Sequence, residues 1–243
     1  MKLIKLNAID STSTFLKEMA TNSNLENYTT VVAKAQTKGR GQRENSWASE
    51  PYKNLTSSVF IRDLDLEITN QKYFNFAICL AVYDVISKYI DNQLFIKWPN
   101  DILSANQKIC GILIENSISK SFIKKSIVGI GINVNQEEFK DDLNRVSSLT
   151  NITGKLYNLD DLLIEVVNSI KNRVNQLFEK NYKNLELDYL NVLYKKNTPS
   201  MFKTTENVLF MGKIIGISSS GKLQVELEDE TLKEFGIKEI SFA

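Results

Sequence analysis

The chain has no histidine. That absence removes Ser–His and Cys–His nucleophile pairs and every imidazole metal site. Catalysis must then run on Lys, Arg, Asp, Glu, Tyr or backbone groups, through positioning and charge stabilisation. Only two cysteines occur, Cys79 and Cys110. They are far apart, sit in apolar surroundings and form no C-x-x-C, so no disulfide framework is implied. Buried thiols in a reducing compartment, the cytoplasm, are expected. No apolar run approaches the roughly 20 residues of a membrane span. The opening Met1-Lys2-Leu3-Ile4-Lys5-Leu6 lacks the apolar core of a signal peptide. The formal net charge of +1 supplies no global field for nucleic acid or a membrane surface.

What is present starts with 243 residues, enough for a substantial core and for one domain or a larger and a smaller one. Gln36 to Ser58 reads Q-T-K-G-R-G-Q-R-E-N-S-W-A-S-E-P-Y-K-N-L-T-S-S. Gly39 and Gly41 bracket Arg40, with Lys38 and Arg43 just outside and Trp47 following. Two glycines allow a tight turn and close approach of a ligand. Successive amides in such a turn form an anion-binding nest, and a guanidinium grips phosphate through two donors. The indole offers a flat face for stacking. Taken alone, the triplet reads more readily as an exposed turn than as a site, because short glycine patterns are common by chance.

Two later segments shift that balance. Leu94 to Ile96 reads as a strand, and Lys97-Trp98-Pro99-Asn100-Asp101 follows it. Pro99 cannot continue a central strand, so Asn100 and Asp101 are expected in a loop at the strand end. Lys108 then opens K-I-C-G-I-L-I-E, and Val128 opens V-G-I-G-I-N-V-N. Gly111, Gly129 and Gly131 interrupt apolar strands, a mark of close approach by a ligand or another backbone.

Along the chain, residues 3–7 read as a strand, and Ser11 to Ala20 as a helix capped by Ser11 or Ser13. Thr29 to Lys34 and Asn54 to Arg62 read as strands, the second alternating Leu55, Ser57, Val59 and Ile61 against polar partners. Phe74 to Tyr89 has the period of an amphipathic helix. Three strands are expected near 94–97, 108–115 and 126–134, with Lys120, Lys124 and Lys125 on a solvated hairpin flank. Asp160 to about Lys180 reads as a long structural helix whose apolar face includes Leu162, Leu163, Val166, Val167, Ile170, Val174, Leu177 and Phe178, and the acidic pair Asp160 and Asp161 suits its N-terminus. After Asn197-Thr198-Pro199 the texture becomes short β runs: 207–210, 212–217, 223–228 and 231–235, with a hairpin turn at Ser218 to Gly221.

In this order, I-D-S-T-S-T (from Ile9), A-Q-T-K-G-R-G-Q, K-W-P-N-D, K-I-C-G-I-L-I-E and G-I-G-I-N-V resemble the motifs of the biotin–protein ligases, also called biotin–[acetyl-CoA-carboxylase] ligases. The tail G-K-I-I-G-I-S-S-S-G-K-L-Q-V and F-G-I-K-E-I-S-F extends the resemblance to nearly the whole chain. It implies an α/β (α+β) fold of the class II aminoacyl-tRNA synthetase/biotin-ligase type, a mixed sheet with packed helices. A small C-terminal SH3-like β-barrel follows, giving domains 1–196 and 197–243. With no room for a helix-turn-helix before residue 3, the ligase-only type is expected, without nucleic acid or membrane as partner and as monomer or homodimer.

The resemblance implies two half-reactions. Biotin and ATP, as its Mg2+ complex, give biotinyl-5′-adenylate and pyrophosphate. The adenylate then acylates a lysine of a biotin carboxyl carrier domain. Ser11, Thr12, Ser13 and Gln36 match biotin-binding positions, with Arg40, Gly41, Gln42, Lys108 and Gly111. Arg40, Gln42, Trp47, Lys97, Asn100, Lys108 and Asn133 match positions about the nucleotide. Arg40 and Lys108 would neutralise phosphate and carboxylate charge, and Asp101 would orient or deprotonate the incoming amine. Glu44 and Asn45 depart from the usual Gly and Arg or Asn, and Tyr52 stands where Gly is usual. Glu44 places a negative charge in the phosphate-gripping loop. The loop is expected to be mobile when empty. Two other readings stay open: a lipoate–protein ligase or octanoyltransferase of the same fold, the latter calling for a cysteine nucleophile, and a non-catalytic biotinyl-adenylate binding module.

Overall fold

The computed structural model describes residues 2–42, 45–90, 93–139 and 145–243. Its larger sheet begins with a parallel pair. Strand β1 (Leu3–Ile9) leads through helix α1 (Thr12–Asn22) to β2 (Thr30–Gln36) at its side. Ser11 caps α1, its hydroxyl accepting from the Thr14 amide. β3 (Leu55–Glu67), β4 (Leu94–Lys97), β5 (Asp101–Ser104), β6 (Gln107–Ser119) and β7 (Phe122–Ile132) complete seven strands in the order β1-β2-β3-β7-β6-β5-β4.

Successive side chains of β3 face opposite ways. Phe60 packs with Leu16 of α1, Val31 and Ile127 on one face. Val59 and Ile61 join the main core on the other, beneath helices α2 (Gln71–Ile86) and α4 (Leu159–Phe178). Leu55 to Ile61 are therefore all buried, and the expected alternation with solvent is absent because helices cover both faces. The same enclosure corrects α2. Phe76, Cys79 and Leu80 are buried as fully as the expected stripe, because the sheet, α4 and α5 (Tyr182–Asn191) surround it. Within α4 the expected face is buried except Phe178, which is 44% exposed. Arg173 of α4 pairs with Asp84 of α2 at 2.7 Å and Asp188 of α5 at 2.6 Å, tying the three helices.

Where three strands were expected between 94 and 134 there are four. β5 was missed because K-W-P-N-D reads as a strand end. In fact Trp98-Pro99-Asn100 forms the tight turn of a hairpin, and Asp101 is the first residue of β5, opposite Lys97. Lys120, Lys124 and Lys125 are exposed at the β6–β7 hairpin, as expected.

A short helix, α3 (Leu149–Thr153), precedes α4. The second sheet is antiparallel and five-stranded: β8 (Pro199–Thr204), β9 (Leu209–Ile217), β10 (Leu223–Leu227), β11 (Leu232–Phe235) and β12 (Ile240–Phe242). The runs at 207–210 and 212–217 merge into β9, and β8 and β12 were not read from sequence. Phe202, Ile214, Leu223 and Val225 of this sheet join the main core. Among the described residues no helix is long and apolar enough to cross a membrane.

Candidate active site

A cavity of about 620 Å³ lies over the β6–β7 glycines, between the N-terminus of α1, the loop after β2, the β4–β5 turn and the end of the second sheet. That volume is in the range of small-molecule sites. Ser11, Thr12, Ser13, Gln36, Arg40, Gly41 and Gln42 line it, as do Trp47, Lys97, Asn100, Asp101, Lys108 and Gly111. Every site residue expected from sequence is thus brought together except Asn133.

One wall is a hydroxyl-rich network. The Thr12 amide donates to Gln36 Oε1 at 2.8 Å, and the Thr12 hydroxyl donates to the same oxygen at 3.1 Å. Ser58 Oγ lies 2.8 Å from Thr12 Oγ1 and 2.9 Å from Ser13 Oγ. Ser57 Oγ, also on this wall, is buried without a partner among the described residues. Ser57 and Ser58 were not singled out from sequence. Their signal was Thr56-Ser57-Ser58, three consecutive hydroxyls between Leu55 and the apolar run Val59 to Ile61.

The floor is bare backbone. Gly111 and Gly131 are register partners on β6 and β7. A Cβ on Gly131 would lie 2.3 Å from Trp47 Cε2, and one on Gly129 2.6 Å from Ser13 Oγ. The glycines therefore admit the indole and α1 to contact distance. Trp47 Nε1 is buried and has no partner among the described residues, an orphaned donor of the kind that asks for a ligand acceptor.

The charged end centres on Lys108. Its Nζ lies 2.7 Å from Asp101 Oδ1 and 5.7 Å from the Trp47 ring centre. Lys97 stands near the same pair. Burial lowers its amine below the ordinary lysine value; Asp101 opposes the shift, and Lys108 and Arg145 add to it. Asn100 is buried and donates through Nδ2 to the Ile112 carbonyl, while its own carbonyl accepts from the Ile112 amide at 3.1 Å. It therefore pins the β4–β5 turn to β6. Asn133 is buried outside the cavity lining, donating to the Ser147 carbonyl at 3.0 Å. Its Oδ1 is buried without a partner among the described residues.

The loop carrying Arg40 is folded back on itself in its described part. Gly41 N–H donates to the Asn45 carbonyl at 2.7 Å and Trp47 N–H to the Gly39 carbonyl at 2.9 Å. Arg43 and Glu44 lie outside the described residues, as does the expected effect of Glu44. Tyr52 has φ 68°, a left-handed conformation that costs a non-glycine residue about 1–2 kcal/mol of strain. The second sheet also reaches the cavity, through Ile237, Lys238, Ile240 and Phe242, which sequence reading did not foresee. Cys79 and Cys110 are free, buried and absent from the lining; burial pushes both thiols above the ordinary range.

Comparison with known proteins identifies the family of the chain. The model of the Biotin/lipoate A/B protein ligase family matches residues 6–133. The bifunctional ligase/repressor BirA of Bacillus spizizenii is 31% identical over 242 residues, covering 98% of this chain and 71% of that protein. The biotin–[acetyl-CoA-carboxylase] ligase of Mycobacterium tuberculosis is 31% identical over 122 residues, 49% of this chain and 44% of that one. The biotin protein ligase of Aquifex aeolicus, solved with biotin and ATP, superposes with a TM-score of 0.82 at 30% identity, covering 100% of this chain and 98% of that one. This chain belongs to the biotin/lipoate A/B protein ligase family.

Proposed function

We propose that the chain is an ATP-dependent biotin–protein ligase. It condenses biotin with MgATP to biotinyl-5′-adenylate, releasing pyrophosphate, and passes the biotinyl group to a lysine of a biotin carboxyl carrier domain, releasing AMP. The observation that carries this reading is one continuous cavity. It joins the Thr12–Gln36–Ser58 hydroxyl network to the Lys108–Asp101 pair across the Gly111–Gly131 floor. Such a slot suits a ligand with a polar ring, a slender apolar chain and a carboxylate. The Aquifex ligase, alike over its full length, was solved with biotin and ATP.

In this reading Thr12, Ser13, Gln36 and Ser57 meet the ring amide groups, with Ser11 capping the helix that presents them. The apolar chain runs along the floor beside Trp47, whose indole is itself seated on Gly131. Lys108 holds the biotin carboxylate against the α-phosphate, and Arg40, Gln42 and Lys97 receive nucleotide charge; this places the reactants and neutralises developing anion. Magnesium arrives as part of the ATP complex. An anion at Lys108 competes with Asp101 for the ammonium. The released Asp101 carboxylate then takes the proton as the acceptor amine attacks the acyl carbon and AMP leaves with the bonding electrons. A cytoplasmic setting fits the two free thiols. The division into 1–196 and 197–243 is part of the same proposal, the second part closing the cavity through Lys238 and Phe242.

The test is pyrophosphate release from MgATP with biotin, lipoate or octanoate, in the wild type, Lys108→Ala and Arg40→Ala. Release with biotin alone, falling about 100-fold or more in Lys108→Ala, is expected for loss of a charge acting on the reacting groups. Release with lipoate instead would move the chain to the sister activity, and no release with any acid would favour the binding module. The octanoyltransferase reading requires a reactive thiol at the site, which buried Cys110 does not provide.

A further inference from the structure

The carbonyl of Pro99, in the turn between β4 and β5, is met by three side chains at once. Asn75 Nδ2 donates to it at 2.9 Å, the Tyr189 hydroxyl at 3.3 Å and the Cys79 thiol at 3.6 Å. Asn75 and Cys79 are one helical turn apart on α2, and Tyr189 comes from α5. Tyr189 and Cys79 are fully buried. A carbonyl oxygen has two lone pairs, so three convergent donors exceed what satisfying one backbone group requires. The turn is held on two further sides. Trp98 Nε1 donates to the Gly221 carbonyl of the second sheet at 3.3 Å, and Asn100 is bonded to Ile112 of β6. Asn75, Cys79 and Tyr189 all stand behind the turn, outside the cavity lining, and the reaction described above gives them no role.

We propose that Asn75 and Tyr189 are positioning residues that act through the Pro99 carbonyl: they fix the β4–β5 turn and thereby set the Asp101 carboxylate against Lys108. Asp101 opens β5 two residues after Pro99, opposite Lys97. Lys108 is held separately, its amide donating to the Arg145 carbonyl at 2.7 Å and its own carbonyl accepting from the Ser147 amide at 3.0 Å. The 2.7 Å separation of Asp101 Oδ1 from Lys108 Nζ therefore depends on where the turn places Asp101. The donors themselves sit on firm supports. The Tyr189 ring is stacked on Phe76 with centroids 4.1 Å apart, so the ring stays packed when its hydroxyl is removed. Its neighbour Asp188 is paired with Arg173, which anchors α5 to α4 beside the donor.

The inference rests on the proposed transfer reaction for the role of Asp101, so one arm avoids that reaction. In the ligand-free protein, amide hydrogen exchange is followed at Ile112, which donates to the Asn100 carbonyl, and at Phe60, which donates to the Thr29 carbonyl in a distant part of the sheet. Wild type, Tyr189→Phe, Asn75→Ala and Asn75→Asp are compared. Exchange at Ile112 is expected to rise about three- to tenfold while Phe60 keeps its rate, as for local loosening after loss of one hydrogen bond. Asn75→Asp keeps the shape but, when ionised, only accepts, so it should be as damaging as Asn75→Ala. In the second arm, preformed biotinyl-adenylate is mixed with a carrier domain in a single turnover. Transfer by Tyr189→Phe should fall about fivefold, while pyrophosphate release in the first step changes by less than about twofold. Beside Asp101→Asn, adding Tyr189→Phe should cost nothing further, because both act on the same group. Unaltered exchange at Ile112, or unaltered transfer, would overturn the proposal. So would an equal rise at Phe60, which marks a general loosening, or an undiminished loss beside Asp101→Asn. Failure of the wild type to transfer biotin would count against the proposed function, while the exchange arm would still decide whether the donors hold the turn.

Discussion

Gly131→Ala is the sharpest steric test of the site. The added Cβ would sit 2.3 Å from Trp47 Cε2, 2.6 Å from Cζ2 and 2.8 Å from Nε1. Ordinary carbon contacts begin near 3.5 Å, so one side must retreat by about 1 Å. Gly131 lies on β7, paired on one side with Thr56 of β3 and on the other with Gly111 of β6. Moving it would disturb two ladders at the centre of a seven-stranded sheet. Trp47 is held by a loop, so Trp47 yields. Overpacking in a rigid core costs about 1–3 kcal/mol; here most of that is relieved by displacing the loop. The thermal midpoint should thus fall by only a few degrees, the roughly 2–4 °C per kcal/mol expected at this chain length. Activity should fall much further, about 100-fold in kcat/KM for biotin-dependent pyrophosphate release, as for a 1 Å displacement of a positioning group. Gly111→Ala provides the internal comparison. Its Cβ meets Trp47 Cζ3 at 3.0 Å and the flexible end of Lys108 at 3.2 Å, so its effect should be several-fold smaller. The reasoning is refuted if Gly131→Ala keeps wild-type kcat/KM, or if Gly111→Ala is the more damaging.

Other perturbations follow from contacts already described. Ser58→Ala removes the hydroxyl shared by Thr12 and Ser13; the KM for biotin should rise about fivefold, equivalent to roughly 1 kcal/mol, with kcat little changed in steady-state assays. Arg173→Ala leaves Asp84 and Asp188 without their common partner on three packed helices; because both carboxylates are partly exposed, urea unfolding should show a loss of about 1–2 kcal/mol, with Arg173→Lys intermediate. The Lys88 ammonium and then the Tyr89 hydroxyl, both donating to Glu165, hold its carboxyl below the ordinary range. A lowered folded value means stability that is present above the unfolded pKa of about 4.3 and is lost as pH falls through the folded one. Thermal midpoints should therefore drop more steeply below about pH 4.5 in the wild type than in Glu165→Gln. Equal slopes would show that this cluster carries no linkage.

Much of the site was legible in the chain because its chemistry is written in residue types. The missing histidine removed whole classes of mechanism. The glycines at 111, 129 and 131 announced close approaches, and the periodicity of 160–177 named the buried face of α4. Misreadings occurred where a residue's surroundings come from distant sequence. β3 looked half-exposed because nothing local reveals that α1 covers one face while α2 and α4 cover the other. β5 was hidden because a four-residue strand after Pro99 has no period of its own.

Residue chemistry and local spacing thus set which groups this protein has to work with, and which short segments present them. Only tertiary structure decided their pairing. Sheet register brings Asp101 to Lys108, the α1 approach allowed by Gly129 sets Ser13 beside Ser58, and the return of the loop after β2 lays Trp47 on Gly131 and Arg40 on Glu115. Those contacts join segments far apart in sequence, Arg40 and Glu115 by 75 positions and Trp47 and Gly131 by more, and their energies depend on burial and on angles fixed by packing. A linear pattern, which encodes side-chain type and local period, carries neither.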